Sequence, residues 1–73
     1  MNNEIFNLEL RQFLKRFGVS AQRAIELAVQ SGMEEGKLSG REVLPVSATL
    51  TIPGLVDDFV IDGNIALDDA STT

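Results

Sequence analysis

At 73 residues the chain makes one small domain, near the size where a core becomes marginal, since such a chain buries only about 60% of its unfolded surface. Hydrophobic residues supply 44% and charged residues 23%, too apolar for a disordered chain, and the lack of cysteine removes disulfides and thiolate–zinc sites as staples and leaves oligomerisation. A net charge of −5 repels nucleic acid and anionic membranes.

Asn2 or Asn3 can cap a first helix, with Glu4 well placed in its first turn. Phe6, Leu10, Phe13, Leu14 and Phe17 then form one apolar stripe at helical spacing. Gly18 reads as the stop, and Ser20 as the N-cap of a second helix, with Val19 packing on Ala24 as a hydrophobic staple. The second helix runs to about Glu35 and buries Ala21, Ile25, Ala28, Val29 and Met33, while Ala24, Ala28 and Gly32 form a small-residue ridge. Leu8 and Leu27 lie roughly opposite their stripes at 100° per residue. They hint at a second apolar surface.

A glycine-bounded loop over residues 36–40 leads into a hairpin spanning Val43 to Leu67. Leu44, Val46, Ala48, Leu50 and Ile52 alternate along the first strand, and Phe59, Ile61, Ile65 and Leu67 along the second. Pro53-Gly54 is the turn between them. Pro45 requires a free edge or a bulge. Downstream of it, Ser47, Thr49 and Thr51 form an outward polar row beside a pairable edge.

These elements predict an α+β domain over residues 1–67, with two N-terminal helices packed on a C-terminal antiparallel hairpin (α-α-β-β). A dimer would extend the hairpin to a four-stranded sheet. Residues 68–73 read as a disordered acidic and polar tail. All six basic residues fall within 1–41, for a net +1 there, and 42–73 carry net −6.

The chain has no His, Cys, Tyr or Trp, so the usual neutral-pH base, thiol nucleophile and metal–imidazole sites are absent. No catalytic residue, cofactor or metal ligand set is expected. Residues 32–38 echo a phosphate-binding loop, but with three residues between the glycines, Leu38 at the magnesium position and a helix before it instead of a strand. Asp58, Asp62, Gly63, Asn64 and Asp69 echo a calcium loop, but Val60 takes a ligand position and the stretch alternates as a strand. Phe17-Gly18-Val19-Ser20 between two helices, followed by a hairpin, suggests a winged helix-turn-helix. Its second helix offers only Gln22, Arg23, Glu26 and Gln30 to bases, and its wing carries three aspartates.

Several stretches resemble a small family of uncharacterised bacterial proteins of about this length. They are Phe6-Asn7, the junction from Phe13-Leu14-Lys15 to Gly18-Val19-Ser20, Gly36-Lys37-Leu38, Leu44-Pro45-Val46, Thr49-Leu50-Thr51-Ile52 and Gly63-Asn64-Ile65-Ala66-Leu67. The resemblance implies a bacterial setting and a single domain, and it supplies no activity and no catalytic residues.

The reading that follows is a non-catalytic structural or protein-interaction module, self-associating as a dimer or binding another protein. Its expected interface residues are Leu8, Leu27, Ser47, Thr49 and Thr51. The alternatives are a nucleic-acid-binding regulator and, more weakly, a binder of small apolar ligands. No membrane-length apolar run and no signal-like N-terminus is present, so the expected location is the cytoplasm.

Overall fold

The computed structural model describes residues 1–69. The chain divides into two units, Met1–Lys37 and Leu38–Thr73. The first is a single helix with its capping residues. The second is an antiparallel two-stranded hairpin with its lead-in loop.

Helix α1 spans Asn3–Glu34, 32 residues without a break. Asn2 is the N-cap, in extended backbone, and its Oδ1 accepts hydrogen bonds from the N–H groups of Glu4 (2.9 Å) and Ile5 (3.1 Å). Two of the donors that a helix start leaves unpaired are thereby satisfied. At the other end the Lys37 N–H donates to the Gly32 carbonyl at 2.8 Å and the Gly36 N–H to that of Met33 at 3.2 Å. With Gly36 at φ 75°, this is a Schellman motif, which needs a residue at positive φ that glycine supplies without a Cβ penalty.

The expected pair of helices is corrected to one. Gly18, Val19 and Ser20 are all helical, so the chain has no turn there and no helix-turn-helix junction. Gly18 is absent from the residues at positive φ, which a C′ glycine would have to adopt. The physical reason is phase. At 100° per residue, the stripe ending at Phe17 continues through Ala21, Ala24 and Ala28 without a rotational jump. One glycine costs only about 1 kcal/mol in a helix interior, too little to interrupt a stripe that stays in register on both sides. The stripe recurs at eleven residues, through Phe6, Phe17 and Ala28, and again through Leu10, Ala21 and Gly32. That recurrence is close to the natural pitch and holds one face over many turns.

Strands β1 (Val43–Ile52) and β2 (Val56–Ala66) pair antiparallel. Leu44 lies opposite Ile65, Val46 opposite Gly63, Ala48 opposite Ile61 and Leu50 opposite Phe59. The alternation therefore collects the apolar residues on one face, as expected. The other face carries the pairs Val43–Ala66, Pro45–Asn64, Ser47–Asp62 and Thr49–Val60. Pro45 sits in register without a bulge. Each strand of a two-stranded sheet is an edge strand, where proline is tolerated.

The turn follows from its residues. The Leu55 N–H donates to the Ile52 carbonyl at 2.9 Å, Pro53 takes the second position and Gly54 the third at φ 80°, as a type II turn demands. The register then shifts between Leu50 and Ile52. Asp57 and Asp58 together oppose Thr51, with Asp58 at φ 53°. One extra residue on β2, held left-handed, makes this a β-bulge.

No described residue is buried. The stripe expected to supply the core keeps Phe6, Leu10, Phe13, Leu14 and Phe17 between 41% and 51% exposed. Each unit by itself is a single layer, and a lone helix or a lone hairpin has no second layer to bury its apolar side against. Of the expected tail, Asp68 and Asp69 follow β2, with the Asp69 N–H donating to the Asp68 Oδ1 at 2.7 Å. Residues 70–73 lie outside the described residues.

Candidate interaction surfaces

The helix carries two kinds of apolar surface. One is the stripe, whose N-terminal half is built of Phe and Leu and whose C-terminal half is built of Ala21, Ala24, Ile25, Ala28, Val29 and Gly32. Phenylalanine and leucine thus fill one half of the face, and alanine and glycine line most of the other, with Ile25 and Val29 at its margin. The second surface holds Leu8 and Leu27, each 55% exposed. They stand 19 residues apart on a helix rising 1.5 Å per residue, so about 28 Å separates them along the axis, and they point roughly 100° apart. The helix does not bring them into one patch.

On the hairpin, Ser47 and Thr49 share the polar face with Asp62 and Val60, and Thr51 stands at the bulge. All three are exposed. A shallow depression lies beside them, lined by Pro45, Val46, Ser47, Asp62, Gly63 and Asn64. It forms where Gly63 leaves Val46 without a cross-strand side chain. The apolar face is also open at its β2 side, where Phe59 and Ile61 remain exposed.

The loop entering β1 contains the most organised polar group of the hairpin unit. The Glu42 carboxylate accepts hydrogen bonds from three successive N–H groups, those of Ser39 (2.9 Å to Oε2), Gly40 (3.0 Å to Oε1) and Arg41 (3.2 Å to Oε1). Gly40 at φ 95° turns the backbone so that these donors converge, which makes a small anion nest filled from within. The Ser39 N–H is the main cause of a carboxyl held below its ordinary range, with the N–H groups of Glu42 itself and Gly40 adding to it. The Glu42 carbonyl in turn accepts from the Leu67 N–H at 2.9 Å, tying the loop to the end of β2. Sequence reasoning missed Glu42; the available signal was a carboxylate two residues after a glycine in a short loop.

The echoes of ligand loops take ordinary structural roles. Residues 32–37 are the Schellman end of α1, and Lys37 Nζ pairs with Glu35 Oε1 at 3.0 Å between two well-exposed side chains, a geometry of small energetic weight. Asp62, Gly63 and Asn64 lie within β2, and Asp58 is the bulge residue. Among the described residues no group of three or more carboxylate, imidazole or thiol side chains is placed to hold a metal ion. No helix among them is long and apolar enough to cross a membrane.

A family model for a family of unknown function (DUF6494) matches residues 1–68, nearly the whole chain. The chain belongs to that family. Comparison with curated proteins and with solved structures found no match in either case.

Proposed function

We propose that the protein is a non-catalytic interaction module whose working form is a self-associated assembly. The observation that carries this reading is the absence of any buried side chain among the described residues. Most of the stability of a protein helix such as α1 comes from packing its apolar face, and an isolated two-stranded hairpin is marginal in water. Apolar surface removed from water is the dominant driving force for association, and this chain holds much of it in reserve. With no cysteine in the sequence, no disulfide can substitute for that burial.

Two surfaces suit self-association. An edge of the hairpin, beside Ser47, Thr49 and Thr51, can add a strand from a second copy and give a four-stranded sheet. The helix stripe can take another helix. Size-exclusion chromatography with light scattering tests the reading: a dimer or larger assembly at micromolar concentration is expected, and a strict monomer at high micromolar concentration would overturn it.

A further inference from the structure

The aromatic and small halves of the α1 stripe are complementary in size under a two-fold rotation, and we propose that α1 pairs antiparallel with α1 of a second copy about an axis near Val19. This rests on the self-association reading and names its geometry. Turning one helix end for end about Val19 sets Phe6 against the partner's Gly32, Leu10 against the partner's Ala28, Leu14 against the partner's Ala24 and Phe17 against the partner's Ala21. Four of the five large stripe residues of the first half thus meet a small residue of the second, and Phe13 falls level with the partner's Ile25. A parallel pair would instead stack phenylalanine on phenylalanine at one end and alanine on alanine at the other, leaving a gap along half its length.

The area is sufficient. Three phenylalanines and two leucines near half exposure, together with the small half of the stripe, offer on the order of 700 Å² per copy, taking 150–250 Å² for a whole aromatic side chain. Two copies then bury roughly 1,400 Å², inside the range of stable protein interfaces. The eleven-residue recurrence keeps the stripe on one side from end to end, so two nearly straight helices stay in contact over about 40 Å. Alanine and glycine facing four of the five large side chains keep the axes within the 8–10 Å spacing of packed helices. The apolar face of the hairpin offers no such gradient, because its smallest pairs, Ala48–Ile61 and Val46–Gly63, lie in its middle.

The test uses the full chain and its lack of cysteine. Spin labels on Glu4→Cys and, separately, on Ser20→Cys read the geometry, and light scattering reads the mass of each. Antiparallel pairing about Val19 places the two residue-4 positions about 45 Å apart along the axis and the two residue-20 positions within one helical turn. The expected result is a dimer whose residue-4 labels lie far apart and whose residue-20 labels lie close together. A dimer with adjacent residue-4 labels, or with widely separated residue-20 labels, overturns the pairing and leaves self-association standing. A monomer overturns both.

A charge-neutral swap tests the facing residues. Leu14 and Ala24 are ten apart, too far to touch within one helix, but face each other across the proposed pair. Leu14→Ala and Ala24→Leu should each raise the dissociation constant at least about tenfold, and the double variant should restore it. Additive weakening in the double variant would overturn the pairing, including the case in which the hairpin of the same chain covers the stripe.

Discussion

Phe17 and Ala21 lie one turn apart on a single apolar stripe, and Gly18 between them is held in helical backbone rather than ending the helix. A Cβ built on Gly18 meets no atom within 4 Å. Gly18→Ala therefore removes backbone freedom from the unfolded chain without a clash, and should stabilise the protein by about 0.5–1 kcal/mol. Chemical denaturation followed by far-ultraviolet circular dichroism measures it. A loss of stability would mean that the backbone at Gly18 is needed for something other than the helix.

The bulge at Asp58 offers the opposite case, a side chain where glycine fits better. Asp58 stands at φ 53°, a region aspartate tolerates and β-branched residues avoid. Asp58→Gly should leave stability unchanged or raise it by up to about 1 kcal/mol, and Asp58→Val should lower it by about 1–2 kcal/mol. Thermal unfolding of the two variants side by side decides this. Equal stabilities would show that the bulge relaxes to another register.

Acid should loosen the loop before β1. The folded Glu42 carboxyl is held below its ordinary range, chiefly by the Ser39 N–H. Its contribution is therefore complete above the unfolded-state value and is lost as pH falls through the lower folded value. Backbone amide shifts of Ser39, Gly40 and Arg41 should titrate together with a midpoint below that of an ordinary glutamate. Glu42→Gln should abolish that titration. A midpoint at the ordinary value would show that the nest is not formed in solution.

Much of the architecture was legible in the residues, because it follows from short-range rules. The cap at Asn2, the glycine end at Gly36, the Pro53-Gly54 turn and the face shared by Leu50 and Phe59 each depend on neighbours in sequence or on strict alternation. Gly18 misled because local chemistry, a glycine before Val-Ser, satisfies the signature of a helix end and a new N-cap. The deciding information is the phase of the stripe across the junction, which needs both halves measured on one wheel. What covers the apolar stripe was not legible for a different reason. Periodicity identifies the apolar side of an element, but contains nothing about whether the same chain or another copy covers it. The surface residues expected from outlying leucines, Leu8 and Leu27, prove widely separated once both are placed on a single helix.

The unbroken stripe of α1 also constrains how this gene can change length. Removing or adding one residue inside the helix turns everything beyond it by about 100°, which would swing the small half of the stripe away from the aromatic half. A change of eleven residues restores the phase, whereas a single-codon change does not. In the hairpin a one-residue slip exchanges the two faces of a strand, so β1 and β2 are equally intolerant. Length variation among relatives should therefore gather in residues 36–41, at the turn over residues 53–55 and beyond Leu67, and be scarce between Phe6 and Gly32.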